Sequence, residues 1–296
     1  MTQAYRRVQI AVDGGELTVG VWGELSPERP PVLAIHGITA NHVSWTEVAR
    51  HHDGAILAPD LRGRGGSRHL PGPTGMAVHA ADALAVLDVF GVDQAIVVGH
   101  SMGAFVASVF AHRFPERVRR LVLVDGGVPF PPITGDVDEA MDTILGPALA
   151  RLKLTWPDRT AVHDFWRAHP ALADWNDVIE AYVDYDVGED GTGLRSRIAE
   201  PIIREDGRDL HLGAAAKDAY ASLPGAKFPE GAVFLHAERG LLDEPTPLYP
   251  DPEQLEDHIA VQRLPGSNHY TILFAPRFAA AVARAVENPI SESEAS

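Results

Sequence analysis

The sequence predicts an α/β protein built on a mostly parallel sheet. Short apolar runs typical of buried strands alternate with segments of helical spacing, a pattern that indicates a parallel sheet covered by helices on both faces. The alternation stops after Asp125 and resumes at Ala232, which predicts an insertion between two strands of one sheet. A length of 296 residues, of which 45% are hydrophobic and 22% charged, is sufficient for such a core and argues against global disorder.

The first half of the chain predicts a hairpin, four buried strands and two helices. Residues 6–12 and 16–22 flank Asp13-Gly14-Gly15, which is a hairpin signal. Apolar runs predict strands at residues 31–35, 55–58, 94–98 and 121–124. Apolar residues at helical spacing predict helices over residues 74–90 and 102–114.

The middle of the chain predicts helices at residues 137–152, 159–168, 175–185 and 213–223, and no strand. Strands then follow at residues 232–237 and 259–264, with helices at 252–258 and 271–286. We therefore divide the chain into a core of residues 1–126 and 228–296 and a helical lid of residues 127–227.

Aromatic residues of the predicted lid are candidate substrate contacts. Ligand pockets form at domain interfaces from apolar and aromatic groups, so Trp156, Trp166 and Tyr185 are hypothesised substrate contacts.

The segment Gly99-His100-Ser101-Met102-Gly103 reads G-x-S-x-G and lies between a predicted strand and a predicted helix. A serine at such a turn is held in a strained backbone conformation with its Oγ exposed, and the flanking glycines leave room for the turn to close. A five-residue pattern alone is weak evidence, but the strand before it and the helix after it supply the required context. The sequence therefore predicts Ser101 as a nucleophile.

A neutral serine needs a base within hydrogen-bond reach and an acid that orients the base. His269, one of fourteen histidines, lies between the last predicted strand and the last predicted helix. Loops at the carboxyl ends of parallel strands converge on one edge of a sheet, so His269 is expected to meet Ser101 there.

Composition and motifs argue against several other classes of protein. The net charge of −16 argues against nucleic acid or an anionic membrane as a partner. Without cysteine the chain has no disulfide or thiolate metal site, and it lacks H-E-x-x-H and G-x-G-x-x-G motifs. We therefore expect no metal, no cofactor and a small-molecule substrate. The amino terminus has no long apolar segment, so a cytoplasmic protein is expected, with the oligomeric state left open.

The chain resembles the α/β-hydrolase-fold serine hydrolases that carry a lid. The motifs that carry the resemblance run in family order: His36-Gly37, residues 60–67 (DLRGRGGS), the G-H-S-M-G turn and Gly266-Ser267-Asn268-His269. The resemblance implies an eight-stranded sheet with a helical lid after the sixth strand.

The resemblance also implies an oxyanion hole formed by the backbone N–H groups of Ile38 and Met102. Their role is to meet the negative charge that develops on the tetrahedral intermediate. Three residues that flank these groups, His36, Gly37 and His100, are further hypothesised substrate contacts.

The triad acid is the position at which the sequence departs from the common pattern. Most relatives carry it in a G-x-x-D loop after the seventh strand, and here Gly240-Leu241-Leu242-Asp243 matches with a displacement of three residues. A minority take the acid from the end of the sixth strand, where Asp125 lies. We favour Asp125 slightly, because it follows directly on a rigid strand; Asp243 stays open, with Glu238 a third alternative.

The expected activity is hydrolysis of a carboxylic ester or lactone of a mostly apolar small molecule through a serine acyl-enzyme. Carbon–carbon bond hydrolases, amidases, perhydrolases and acyltransferases use the same groups and stay open. Epoxide hydrolases and haloalkane dehalogenases use an aspartate nucleophile, so Ser101 argues against both. The alternative from another class is a small-molecule receptor that keeps the hydrolase fold and turns over little.

Overall fold

The computed structural model describes residues 3–130 and 136–287. Its ten strands are β1 (Tyr5–Val12), β2 (Gly15–Trp22), β3 (Val32–Ile35), β4 (Ile56–Pro59), β5 (Ala95–His100), β6 (Val118–Val124), β7 (Val187–Glu189), β8 (Leu194–Ser196), β9 (Ala232–Arg239) and β10 (Ala260–Asn268). Its ten α-helices are α1 (Thr46–Arg50), α2 (Met76–Val89), α3 (Met102–Arg113), α4 (Val137–Leu152), α5 (Arg159–Arg167), α6 (Asp177–Asp186), α7 (Glu200–Leu212), α8 (Ala214–Ser222), α9 (Thr271–Phe274) and α10 (Pro276–Glu287).

Eight of the strands form one sheet in the order β1-β2-β4-β3-β5-β6-β9-β10. The pairs β1/β2 and β2/β4 are antiparallel, and all pairs from β4 to β10 are parallel. This arrangement confirms the predicted class and the predicted number of strands.

Helices cover both faces of the sheet, which explains why its central strands are apolar along their whole length. On one face, residues of α2, α3 and α8 pack in a buried cluster with alternate strand residues such as Val97 and Leu121. On the other face, α1 and α10 pack with Val98 and Val122. Because successive side chains of a strand point to opposite faces, every residue of β5 is buried.

The insertion (residues 127–227) lies between β6 and β9 and contains α4 to α8. The expectation that it contains no strand is wrong, because β7 and β8 form an antiparallel hairpin. Strands of three residues are too short for an alternating pattern to be visible, and the left-handed backbone of Gly191 and Gly193 makes the turn. Residues 131–135 of the predicted lid lie outside the described residues.

Two helical segments also differ from the prediction. Helix α7 was not predicted, because its buried positions include Asp206 and Gly207 and so break the apolar periodicity. The predicted last helix is split into α9 and α10 at Pro276, whose ring disfavours helical backbone at Ala275. Residues 252–258 contain only a short 3-10 helix, Pro252–Leu255. Residues 1–2 and 288–296 of the predicted core lie outside the described residues.

Candidate active site

The carboxyl ends of the parallel strands bring the predicted site residues to one edge of the sheet. Strands β3, β5 and β6 are neighbours, and each is followed directly by a part of the site. Ile38 lies in the loop after β3, Ser101 follows β5 and Asp125 follows β6. His269 follows β10, two strands away from β6 at the same edge.

Ser101 lies at a tight turn between β5 and α3 and has a left-handed backbone conformation, with φ 55° and ψ −126°. Such a conformation costs on the order of 1–3 kcal/mol for a residue with a side chain, so the surrounding packing must enforce it. A Cβ at Gly103 would lie 2.1 Å from the carbonyl oxygen of Ile35, and one at Gly126 would lie 2.2 Å from that of Ser101. The turn therefore closes only with glycine at these positions, and it leaves Ser101 partly exposed.

His269 is oriented by a buried carboxylate. Its Nδ1–H donates a hydrogen bond of 2.6 Å to Oδ2 of Asp125, and both side chains are almost completely buried. The second carboxylate oxygen of Asp125 accepts a bond from the backbone N–H of Ala237. Because Nδ1 carries the proton, Nε2 is left as the acceptor nitrogen, which is the tautomer that a general base requires.

The other two carboxylates considered as the triad acid bind elsewhere. Asp243 Oδ1 accepts hydrogen bonds from Arg239 Nε at 2.8 Å and from Asn268 Nδ2 at 3.0 Å. Glu238 accepts one from the backbone N–H of Gly266 at 2.7 Å. Asp243 and Glu238 thus brace the loop that carries His269, whereas Asp125 contacts the imidazole itself.

The two backbone N–H groups of the expected oxyanion hole are available for a ligand. Met102 is the first residue of α3, so its N–H has no acceptor within the helix. Among the described residues, the N–H of Ile38 has no hydrogen-bond acceptor. The peptide that carries this N–H is fixed through its carbonyl, because Gly37 O accepts bonds from His36 Nδ1 at 2.8 Å and from the N–H of Ala40 at 3.2 Å.

His36 orients this peptide and does not face a substrate. Its ring is fully buried, with Nδ1–H donating to Gly37 O and Nε2 accepting from the N–H of Leu61 at 3.0 Å. Burial lowers the pKa of His36 to about 3, so the ring is neutral. The structure therefore differs from the expectation that His36 contacts the substrate, whereas Gly37 does lie against the nucleophile: a Cβ there would be 3.1 Å from Ser101 Cβ.

His100 supports the histidine of the site. Its Nε2–H donates a bond of 2.9 Å to the carbonyl oxygen of His269, and the two ring centroids are 4.6 Å apart. Burial lowers the pKa of His100 well below the ordinary value. Through Nε2, His100 helps to position the loop that carries the base, and its expected contact with the substrate stays a prediction.

The three aromatic residues expected to contact a substrate have other partners. Trp156 and Trp166 are buried in a hydrophobic cluster that the insertion shares with Val43 and Phe274 of the core, and Trp166 also packs beneath the guanidinium of Arg151. Tyr185 donates a hydrogen bond of 2.7 Å to Oδ2 of the fully buried Asp60. Burial of large apolar rings is stabilising, so the two tryptophans contribute to packing, whereas Tyr185 is partly exposed and is bonded to Asp60.

Two charged residues near the site were not predicted from sequence. Arg64 and Asp206 are fully buried and form an ion pair of 2.5 Å between the core and α7. Arg64 Nε also donates a bond of 2.9 Å to the carbonyl oxygen of Ile38. The two residues are 142 positions apart, so no local pattern in the sequence pairs them.

Within residues 3–130 and 136–287, no group of three or more His, Asp or Glu side chains is arranged to hold a metal ion, and no helix is long and apolar enough to cross a membrane.

Comparison with known proteins points to one family. The family model described as the alpha/beta hydrolase fold matches residues 30–196. Lipase LipV of Mycobacterium tuberculosis is 33% identical over 176 residues, or 59% of this chain and 61% of that protein. The 2-hydroxymuconate semialdehyde hydrolase of Pseudomonas putida is 41% identical over 115 residues, or 37% of this chain and 40% of that protein. The chain spans between 29% and 61% of the length of the curated relatives it matches.

Solved structures resemble the chain over almost its whole length. The thioesterase domain from the curacin biosynthetic pathway has a TM-score of 0.73 at 22% identity and covers 96% of this chain and 100% of its own. E-2-(acetamidomethylene)succinate hydrolase has a TM-score of 0.75 at 21% identity, and the match covers 96% of this chain and 99% of that one. At these identities the likeness establishes the fold alone.

Proposed function

The chain belongs to the alpha/beta hydrolase fold family, and on that premise we propose that it is a serine hydrolase which cleaves a carboxylic ester or lactone of a mostly apolar small molecule. The observation that carries the proposal is the hydrogen bond of 2.6 Å between His269 Nδ1 and Asp125, at the same sheet edge as the strained turn of Ser101. A serine, a correctly oriented imidazole and a buried carboxylate are the groups that acyl transfer requires.

The proposed reaction has two halves. Ser101 Oγ attacks the carbonyl carbon while His269 Nε2 takes the hydroxyl proton, and the N–H groups of Ile38 and Met102 bind the resulting oxyanion. The intermediate collapses, the C–O bond to the alcohol breaks, and His269 protonates the leaving alkoxide. Water then attacks the acyl-enzyme by the same route, releasing the acid and restoring Ser101.

The structure shows no hydrogen bond between Ser101 Oγ and His269. In structures without substrate, catalytic hydrogen bonds are often long and tighten only in the complex. We therefore expect the Oγ–Nε2 contact to form when a substrate carbonyl occupies the site.

The surroundings of the site support an apolar, uncharged substrate. The Ile38 side chain packs against an apolar cluster of the proposed lid, formed by Leu149, Leu152, Ile198 and Ile203. Arg151, a buried arginine near Thr39 O, is paired with Asp186 at 2.6 Å. Because Asp186 neutralises its charge, Arg151 offers no free cation to a substrate carboxylate.

An activity panel tests the proposal. Purified protein and its Ser101→Ala variant are assayed on p-nitrophenyl esters of increasing chain length, on γ- and δ-lactones, on a thioester and on a vinylogous diketone. We expect the wild type to hydrolyse esters or lactones and Ser101→Ala to lose at least about 10³-fold of that rate.

The panel separates the alternatives. Selective cleavage of the diketone would identify a carbon–carbon bond hydrolase that uses the same residues. No turnover of any acyl substrate would contradict the proposed enzyme and favour the small-molecule receptor. Undiminished ester hydrolysis by Ser101→Ala would show that the chemistry lies elsewhere.

A further inference from the structure

One guanidinium contacts both residues of the proposed oxyanion hole. Arg64 Nε donates a bond of 2.9 Å to Ile38 O, and Nη2 lies 3.9 Å from Met102 Sδ. Arg64 Nη1 also donates a bond of 2.7 Å to the carbonyl oxygen of Arg62. Restraining the carbonyl of Ile38 restrains the backbone torsions of the residue whose N–H faces the reaction.

The same guanidinium is paired with the insertion. Nη1 donates to Asp206 Oδ2 at 2.5 Å, and both side chains are fully excluded from solvent. Asp206 also accepts bonds from Thr74 Oγ1 at 2.6 Å and from the N–H of Gly75 at 2.8 Å. His79 Nε2 lies 3.0 Å from each of the two carboxylate oxygens of Asp206. Buried ion pairs are often no more stabilising than apolar side chains of similar volume, so stability alone does not account for this pair.

Helix α7 also contacts the core through hydrogen bonds that do not involve Arg64. The N–H of Ala199, just before α7, donates to Gly63 O at 2.8 Å. Asp209 Oδ2 accepts a bond of 2.7 Å from the N–H of Met76, at the first turn of α2. Asp209 therefore docks the same helix as Asp206, but among the described residues no hydrogen bond joins its carboxylate to Arg64 or Ile38, which makes it a matched control.

We propose that Arg64 is a positioning residue that couples the seating of α7 to the geometry of the oxyanion hole, through Asp206 on one side and Ile38 O on the other. This inference rests on the proposed serine-hydrolase function. When the pair is intact, the guanidinium holds the backbone of Ile38 so that its N–H faces the developing oxyanion. When Asp206 no longer holds Arg64, Ile38 relaxes and transition-state stabilisation falls, while ground-state binding is unchanged.

The test compares Asp206→Asn with Asp209→Asn in the full-length protein. The readouts are kcat and KM on a short-chain p-nitrophenyl ester, Tm, and the inhibition constant of an alkyl trifluoromethyl ketone, whose serine adduct places an oxyanion in the hole. For Asp206→Asn we expect kcat to fall about ten- to hundredfold with KM nearly unchanged, and the inhibition constant to rise by the same factor. For Asp209→Asn we expect a similar loss of Tm and less than about a twofold change in kcat and in the inhibition constant.

A second variant removes both charges and so avoids a lone buried ion. Arg64→Met/Asp206→Asn keeps an amide oxygen that can accept from the N–H of Gly75, so it is expected to fold, and it is expected to show the same loss of kcat because Ile38 O has lost its donor. Equal effects of Asp206→Asn and Asp209→Asn on kcat, or full activity in the double variant, would overturn the inference. A wild type that hydrolyses no acyl substrate would instead refute the proposed function itself.

Discussion

The imidazole of His269 receives its orientation from one short hydrogen bond. Asp125, its partner, has a left-handed backbone with φ 44°, and its N–H is bonded to Leu235 O in β9 at 2.9 Å. These restraints let a carboxylate at the end of β6 reach across to a histidine that follows β10. Asp243 lies closer along the chain to the usual position of the acid, but its carboxylate is committed to Arg239 and Asn268.

Replacing each aspartate by asparagine decides which one is the acid. In Asp125→Asn the amide favours the wrong imidazole tautomer, so we expect kcat on a p-nitrophenyl ester to fall about 10⁴-fold. Asp243→Asn is the matched control and is expected to lower kcat less than about tenfold, because it only loosens the loop. Near-normal activity of Asp125→Asn together with a large loss in Asp243→Asn would assign the acid to Asp243.

The neutral, buried ring of His36 makes stability depend on pH. Its pKa is lowered from 6.5 to about 3 by burial, so between these values the unfolded chain binds a proton that the folded chain does not. The free energy of unfolding therefore falls as pH drops below 6.5, with His36 contributing up to about 1.4 kcal/mol per pH unit. Urea unfolding at intervals from pH 7 to pH 5 is expected to give a shallower pH slope for His36→Asn than for the wild type. Identical slopes would show that His36 is not buried as a neutral ring.

At the scale of elements, the turn between β5 and α3 depends on backbones that approach more closely than side chains permit. Helix α3 is buried from Met102 to Ala111, and it begins against the carboxyl end of β3. The conformation of Ser101 is thus imposed by packing of the whole strand-turn-helix unit, and it is retained because neither neighbour can move away.

A single methyl group is expected to disrupt that unit. In Gly103→Ala the new Cβ would meet the Ile35 carbonyl oxygen at 2.1 Å, so we expect unfolding free energy to fall by about 3 kcal/mol and ester hydrolysis to be lost. Gly225→Ala is the control, since no atom lies within 4 Å of a Cβ there. Urea unfolding of both variants checks this, and equal stability of the two would contradict the packing described for the turn.

At the scale of the whole molecule, hydrogen bonds and apolar contacts join the described part of the insertion to the core. Asn176 Nδ2 donates to Phe274 O at 3.0 Å and Asn41 Nδ2 to Tyr182 O at 3.3 Å, while Tyr185 reaches Asp60. One apolar cluster also contains Val43 and Phe274 of the core together with residues of α5 and α6. From contacts of this extent we expect the insertion and the core to unfold as one cooperative unit.

Hydrogen exchange tests this cooperativity. In increasing urea, amide exchange of peptides that cover α7 and of peptides that cover β5 is expected to converge on one free energy of opening. Exposure of α7 at distinctly lower urea than β5 would show that the insertion unfolds separately, which is inconsistent with its buried ion pair and hydrogen bonds to the core.

The features of the fold and of the site that can be predicted from sequence are those with a local pattern of residues. Buried strands and the G-x-S-x-G turn are local, so the sheet and Ser101 follow from residue spacing, and His269 follows from its place after the last strand. The triad acid cannot be chosen in this way, because the choice depends on the partners of each carboxylate in the folded chain. Asp243 is bonded to Arg239 and Asn268, whereas Asp125 is bonded to His269. The pair formed by Arg64 and Asp206 cannot be predicted from a local pattern, because the sequence does not distinguish a buried charged residue from an exposed one.

Covalent capture tests whether Ser101 is the nucleophile. Intact-protein mass spectrometry after incubation with a fluorophosphonate, followed by peptide mapping, is expected to show one phosphonyl group per chain on Ser101. The Ser101→Ala variant is expected to show none, and Asp125→Asn to be labelled far more slowly, because its base is misoriented. An unlabelled wild type, or a label on any other residue, would show that Ser101 is not the nucleophile.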